Sequence, residues 1–293
     1  MTDNRFTSIN IHITDACNYS CAFCFSSGSS CSSGGMIGFD RWMPILRDLV
    51  ENRGITKINF AGGEPLLHPD LKQCIYYSKS LGATTSLVTN GSLVDREFFL
   101  DTYGDLDWIG LSIDSVDDYK EVMMGRHCPG CRHLEKVKLV SDYAHDHGVK
   151  VKLNVVVNRM SFDEDFTELI ERIDPQRVKF LQISKVRGVN DFVYDFYSIT
   201  DLTFEDFKKR HSGIRLSNGS SPVFESESDI KDSYLMLDSS GNFRICTESG
   251  YLFVPYDVFW MDPNGFGVNY NRYVARGGIY NWSKPDHGGE FND

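Results

Sequence analysis

The chain is short of positive charge. Its 293 residues carry 30 Lys and Arg against 41 Asp and Glu, a formal net charge of −11. That balance argues against a general nucleic-acid or membrane-surface binder, since both need a basic patch. It leaves room for a basic pocket around one small anion. No apolar run approaches the ~18 residues of a membrane span, and no N-terminal signal peptide is visible. We therefore expect a soluble, cytoplasmic protein with neither a membrane nor a nucleic-acid partner. Cysteine is scarce in the second half: of eight cysteines, only Cys246 follows residue 131. A cysteine-dense domain carrying extra metal clusters is thus disfavoured. There is no internal repeat and no clear domain break, while an apolar content of 41% allows a full core.

What is present is a recurring unit. Residues 7–14 alternate strictly, with Ile9, Ile11 and Ile13 on one face and Ser8, Asn10, His12 and Thr14 on the other. A helix follows, capped by Asp40, to about Arg53. The same strand-then-helix pattern recurs at 55–61, 84–89, 107–113, 149–157 and 177–184, with helical stretches near 69–82, 94–103, 132–147 and 163–173. Such alternation predicts a parallel sheet with right-handed crossovers, either open or closed into a barrel. One face of these strands is polar where a barrel strand is normally apolar on both. Lys150, Lys152, Asn154 and Asn158 lie opposite Val149, Val151, Leu153, Val155 and Val157; Lys57 and Asn59 lie opposite Ile58 and Phe60; Ser112 and Asp114 lie opposite Leu111 and Ile113. Buried lysines require an anion among them. The polar face reads as a lumen with a site at the C-terminal strand ends; the alternative is a solvent-facing open sheet. After about 190 the pattern changes. Residues 190–200 read as a loop, 203–211 as a short helix, 213–230 as irregular, and 234–245 as a hairpin around a Ser-Gly turn.

The chemistry-bearing stretch is Asp15 to Phe25, where Cys17, Cys21 and Cys24 stand in a C-x3-C-x2-C spacing. Three thiolates hold three irons of a [4Fe–4S] cluster and leave the fourth without a protein ligand, an open position of the kind catalytic metal sites keep. Zinc would want a fourth ligand that the stretch does not supply, and a disulfide set would leave one cysteine over.

This spacing, with the aromatic Phe25 after the last cysteine and Gly62-Gly63-Glu64-Pro65 further on, resembles the radical S-adenosylmethionine (SAM) enzymes. The resemblance implies a partial (β/α)6 barrel over residues 1–190, with 191–293 as a C-terminal extension closing the site. It also implies that SAM binds the open iron and is cleaved to a 5′-deoxyadenosyl radical, the electron coming from a flavodoxin, ferredoxin or reductase system. Within that class the chain is most similar to the viperin-like enzymes, through Asn10-x-His12-x-Thr14, Lys57-Ile58-Asn59-Phe60, Gly125-Arg126, Lys152-x-Asn154, Lys231-Asp232-Ser233-Tyr234 and Arg276-Gly277-Gly278-x-Tyr280-x-Trp282. These convert a ribonucleoside triphosphate, typically CTP, to its 3′-deoxy-3′,4′-didehydro form, an antiviral chain terminator. By resemblance, Phe25, Gly62, Gly63, Glu64, Ser112 and Asn154 bind SAM, with Glu64 as acceptor for its amino group. Lys57, Arg126, Lys152 and Lys179 contact the phosphates, with Mg2+ accompanying them. Tyr280 closes the site and supplies the final hydrogen. Asn10, facing the lumen, is the candidate to read the base.

The chain also departs from that pattern. The membrane-anchoring helix of the animal enzymes is missing, which predicts a soluble form. Residues 127–133 (His-Cys-Pro-Gly-Cys-Arg-His) replace an expected lysine-containing loop. They open a second metal reading, either zinc on Cys128 and Cys131 or an auxiliary cluster with Cys246. Two other readings stay open: a different radical SAM enzyme acting on a peptide or cofactor, and a non-catalytic nucleotide or metal sensor.

Overall fold

Strict alternation produces β1 (Ser8–Thr14), whose isoleucines are buried beneath helices while Ser8 and Asn10 face the other way. The computed structural model describes residues 6–26, 35–127, 130, 132–263, 265–276 and 278. After β1 the chain runs through α1 (Phe39–Glu51), β2 (Lys57–Gly62), α2 (Leu71–Ser80), β3 (Thr84–Thr89), α3 (Arg96–Asp101), β4 (Trp108–Ser112), α4 (Asp118–Met123), α5 (His133–Asp146), β5 (Lys150–Val157), α6 (Thr167–Ile173) and β6 (Arg177–Gln182). It continues as α7 (Asp191–Tyr197), α8 (Asp201–His211), β7 (Val223–Glu225), α9 (Glu227–Ile230), β8 (Met236–Leu237), β9 (Phe243–Thr247), β10 (Gly250–Val254), α10 (Tyr256–Met261) and α11 (Tyr270–Ala275). The strands form a ten-stranded sheet in the order β10-β9-β8-β1-β2-β3-β4-β5-β6-β7. From β8 through β1 to β7 all neighbours are parallel; β9 and β10 run antiparallel at the far edge.

The sheet curls. β2 and β5 stand three strands apart, about 14 Å across a flat sheet at ~4.8 Å spacing. Yet Lys57 of β2 and Lys152 of β5 line a single cavity with Asn10 of β1 and Lys179 of β6. The polar faces therefore turn inward, and the structure is a partial barrel of six βα units, as expected. β5 shows the division clearly: Val151, Leu153, Val155 and Val157 are fully buried, and their neighbours less so. Each such side chain contributes about 1.5–3 kcal/mol by leaving water. The helices cover this outer face; Trp42, Leu46 and Leu49 of α1 and Val137, Val140 and Ala144 of α5 are wholly enclosed.

Three local expectations need correction. Asp40 does not cap α1. The helix starts at Phe39, whose amide donates to Asp70 Oδ2 at 2.9 Å, and Asp40 sits in its first turn. The loop expected at 190–200 contains α7. Its aromatic residues are weak helix formers, but Val193, Tyr194 and Tyr197 pack on Phe23 of the cysteine loop and its neighbours. The irregular stretch 213–230 contributes β7, a three-residue strand carried by pairing with β6. The hairpin expected at 234–245 is there. Asp238 ties its turn by accepting from the amides of Ser240 (3.0 Å) and Asn242 (2.9 Å), and Gly241 takes φ +84°. The second hairpin, β9–β10, was not foreseen.

α11 packs against the start of β1. The Tyr273 hydroxyl of α11 takes the amides of Thr7 and Ser8 and meets both their hydroxyls, all at 3.0 Å. Among the described residues no helix is long and apolar enough to cross a membrane.

Candidate active site

The cysteine loop leaves the C-terminal end of β1 and is pinned from several directions. Its backbone pairs with the turn after α4, Ser20 N with Gly125 O (3.1 Å) and Ala22 N with Met124 O (2.9 Å). That approach needs a glycine: a Cβ on Gly125, at φ +78°, would lie 2.3 Å from Ser20 O. Gly62 and Gly63 sit against the same loop. A Cβ on Gly62 (φ +152°) would fall 2.3 Å from Thr14 O, and one on Gly63 2.2 Å from Ala16 O. The glycine pair is therefore required to bring the end of β2 into backbone contact with the cysteines. Gly63 N–Thr14 O (2.7 Å) and Glu64 N–Ala16 O (2.8 Å) complete the join.

The Glu64 side chain is fully buried and already engaged. It accepts from Thr89 Oγ1 (2.7 Å), Asn90 N (2.9 Å) and Leu66 N (3.2 Å), tying the loop to the end of β3. Expected to receive the SAM amino group, this carboxylate is first of all a knot in the scaffold. We expect Glu64→Gln to lower unfolding free energy by about 2–4 kcal/mol, because either amide orientation sets an NH2 against a backbone N–H. Urea unfolding measures this; an unchanged midpoint would contradict it.

Cys17, Cys21 and Cys24 share this loop. Burial raises the Cys17 thiol and lifts Cys21 to about 12, and both respond to the neighbouring cysteines. Tyr19 N points at Cys17 Sγ and Ser26 N at Cys24 Sγ, each at 3.4 Å. Among the described residues no three His, Cys, Asp or Glu side chains converge on a single ion. Three thiolates on one loop suit a cubane cluster, which takes one thiolate per iron. The residues fit a [4Fe–4S] group.

Arg126 is placed at this same end, away from the lysines. Expected on the phosphates, it is buried against Asp114, with Nε and Nη2 each 2.5 Å from Oδ2, and stands 3.6 Å from Glu121 Oε2. It does not line the lysine cavity. Burial and the Asp114 charge raise the Glu121 carboxyl, while burial and Arg126 push His133 down to about 3. His133 bridges Tyr19 Oη (3.2 Å) and Ser112 O (3.0 Å). It is thus held within the protein, while Cys128 and Cys131 of the second metal reading lie outside the described residues. Ser112 and Asn154 are register partners on β4 and β5. Phe25 is 46% exposed and meets the His12 ring edge-on at 5.9 Å.

The other end of the lumen is cationic. Lys57, Lys152, Arg177, Lys179 and Arg276 line the cavity with Asn10, Asn59 and Tyr234. Lys57 and Gly62 are opposite ends of β2, about 16 Å apart at ~3.3 Å per residue. One carboxylate, Glu225 of β7, joins the cations: it accepts from Lys179 and from Tyr234 Oη at 2.5 Å. The guanidinium of Arg276 lies 3.6 Å over the Tyr234 ring. Burial and mutual repulsion hold Lys57 and Lys152 well below the usual lysine range, and burial brings Lys179 down to about 8 despite Glu225. Burial opposes ionisation of Glu225, but Lys179 and Arg276 outweigh it and keep its pKa at about 2. Between the two ends, Gly110 keeps the lumen clear: a Cβ there would meet Asn154 Nδ2 and Val88 Cγ2 at 3.1 Å.

Of the expected residues, the structure brings Asn10, Lys57, Lys152 and Lys179 together at one end. It brings Cys17, Cys21, Cys24, Phe25, Gly62, Gly63 and Glu64 together at the other. Tyr280 lies outside the described residues. Arg177, Asn59, Tyr234, Arg276 and Glu225 were not foreseen as site residues. Two-residue spacing from Lys179 would have found Arg177, while alternation had already set Asn59 on the lumen face with Lys57. Glu225 carries no local signal, because β7 itself carried none.

A barrel of this kind with three cysteines above a bounded lumen defines the radical SAM class, and residues 11–173 match the Radical SAM superfamily. Over 95% of its length the chain is 40% identical to the S-adenosylmethionine-dependent nucleotide dehydratase of Thermoplasmatales archaeon (strain ISO4-H5), covering 97% of that protein. It is 33% identical to the S-adenosylmethionine-dependent nucleotide dehydratase RSAD2 of Oncorhynchus mykiss, over 96% of this chain and 82% of the relative. The chain belongs to this viperin-like family of radical SAM nucleotide dehydratases. Membership carries with it a [4Fe–4S] cluster and SAM. Solved structures share the fold: anSMEcpe with bound AdoMet at TM-score 0.66 and 17% identity, over 89% of this chain and 82% of that one. Streptococcus suis SuiB with S-adenosylmethionine gives 0.64 and 17%, over 94% and 68%.

Proposed function

We infer that the chain dehydrates CTP, with UTP or GTP as the nearest alternatives, to the 3′-deoxy-3′,4′-didehydro nucleotide. The observation that supports this most is the cationic cavity: five buried or half-buried cations around one carboxylate, at the end of the lumen opposite the cysteine loop. Such a cluster needs an anion of several charges, and a triphosphate supplies one. In this reading Lys57, Lys152, Arg177, Lys179 and Arg276 hold the phosphates. The ribose then stands beside Gly110 and Asn154, and Asn10, held by Asn59 Nδ2 at 2.8 Å, is left to read the base. When bound, the cluster and SAM supply the 5′-deoxyadenosyl radical that takes the C4′ hydrogen. The 3′ hydroxyl leaves as water, and one electron and one proton complete the alkene, with Tyr280 assigned as hydrogen donor. Arg126, backed by Asp114 beside Cys21, is reassigned from the phosphates to the SAM carboxylate near Ser112. We assign Mg2+ to the nucleotide in solution, since no acidic metal site stands among the described residues. Residues 191–293 act as the extension that closes the barrel, the electron comes from a flavodoxin, ferredoxin or reductase system, and the setting is cytoplasmic antiviral defence.

The lysines give this reading a pH signature. In the empty cavity Lys179 loses its proton as pH rises through about 8, Lys57 and Lys152 are held well below the usual lysine range, and the nucleotide requires them charged. Binding therefore takes up protons, and the nucleotide KM rises above pH 8 by about tenfold per pH unit for each proton taken up. Calorimetry in buffers of different ionisation enthalpy reads the uptake. Binding with no proton exchange at pH 8 would count against the cavity as the nucleotide site. The assay of function itself is anaerobic, with cluster, SAM, reductant and each of CTP, UTP, GTP and ATP in turn. One triphosphate alone should give both 5′-deoxyadenosine and a product lighter by one water. SAM cleavage without a changed nucleotide would move the chain to another radical SAM substrate, and no cleavage would favour a sensor.

A further inference from the structure

The second hairpin, which motif and periodicity passed over, reaches back more than 200 residues to the cysteine loop. Arg244 of β9 is 0% exposed. Its Nη2 donates to His12 Nδ1 at 3.0 Å and lies 3.2 Å from Ser26 Oγ, which itself is 3.1 Å from His12 Nδ1. Ser26 is the residue whose amide points at Cys24 Sγ. Tyr251 of β10, diagonal to Arg244 across the hairpin, places its ring 4.7 Å below the guanidinium and donates its hydroxyl to Phe25 O at 2.9 Å. His12 Nδ1 accepts from an arginine, so its proton sits on Nε2, where the ring reaches the Gly62 backbone. One guanidinium thus touches the exit of the cysteine loop and, through His12, the glycine pair.

A guanidinium is never deprotonated in a protein, and burying one is unfavourable unless its surroundings are arranged for it. Here they are: a ring face, a histidine held neutral by burial and by Arg244, and a hydroxyl. Charge near the irons and hydrogen bonds to their sulfurs are the means by which a protein sets an iron–sulfur potential.

We propose that Arg244 is a positioning residue for the cluster, fastening the Cys24 side of the loop and raising the cluster's reduction potential through its fixed positive charge. This rests on Cys17, Cys21 and Cys24 as the ligands. Iron content tests those ligands and the potential tests Arg244, so the two can fail separately.

The experiment compares reconstituted wild type, Arg244→Gln, Arg244→Lys and Tyr251→Phe by iron content, midpoint potential from an EPR-monitored titration, and rate of iron loss to a chelator. Arg244→Gln with full iron should hold a tenfold smaller reduced-to-oxidised ratio at a fixed poise, about 59 mV downward for one electron. Arg244→Lys should keep the wild-type potential but lose iron several-fold faster, because a lysine has no planar group to lie on the Tyr251 ring while its head reaches His12 and Ser26. Tyr251→Phe should also lose iron faster at unchanged potential. A wild-type potential in Arg244→Gln, or an equal fall in Arg244→Lys, overturns the charge role. Wild-type iron retention in Arg244→Lys overturns the fastening role, and does so even where Arg244→Gln fails to fold.

Discussion

Cys21→Ala should abolish SAM cleavage and leave the barrel standing. The loop is held by contacts that do not involve the thiol: Ser20 and Ala22 to the turn after α4, Asn90 Nδ2 to Asn18 Oδ1 at 2.9 Å, and Asn190 Nδ2 to Phe23 O at 3.1 Å. A half-buried cysteine contributes little packing, so stability falls by about 1 kcal/mol, the ordinary size for such a change. Each thiolate would hold one iron, and the other cysteines among the described residues stand elsewhere, Cys74 on the buried face of α2 and Cys246 on β9. The variant should therefore show near-wild-type thermal unfolding, sharply reduced iron and 5′-deoxyadenosine at background. Cleavage at a tenth of wild type or more would mean that Cys21 is not a ligand.

Lys152→Met pulls stability and function in opposite directions. In the nucleotide-free protein Lys152 is half-buried beside Lys179 and Arg177, and burial and their charges force its pKa well down. A side chain of similar length without the charge removes that repulsion, so the empty variant should melt higher than wild type. The nucleotide loses a charge-assisted contact of about 1.5–3 kcal/mol, which corresponds to a KM raised about 10- to 150-fold. SAM cleavage uncoupled from nucleotide should hardly change, because the other end of the lumen is untouched. A variant that melts lower and binds nucleotide normally would show Lys152 to be a structural cation. Functional sites commonly sit at this kind of local stability deficit.

How far the chain could be read depended on whether the information was local. The six strands of the barrel were legible because alternation is local: the isoleucines of β1 and the valines of β5 mark the packed face, and what remains must face the lumen. Lys57 and Lys152 followed from the same count, while Lys179 came from the family resemblance. The cysteine and glycine motifs were legible because backbone contact at Gly62 and Gly63 tolerates no side chain. Elements that depend on distant partners were not legible. α7 is made helical by the cysteine loop it covers, and β7 becomes a strand only beside β6. Arg244 resembles any strand arginine until the hairpin folds onto residues 12 and 26. Arg126 was assigned to the wrong end because its motif, Gly125-Arg126, says what residue is there but not what it faces. Asp114, twelve residues earlier, decides that.

A sheet that curls without closing keeps two free edges, and a free edge invites another chain to pair with it. Among the described residues the edges of this sheet are β7, three residues long, and β10, five residues long and followed at once by Pro255. Neither gives an incoming strand enough backbone to hold. The longest strand, β5, lies well inside the sheet between β4 and β6. The barrel can thus remain open on one side without serving as a template for aggregation.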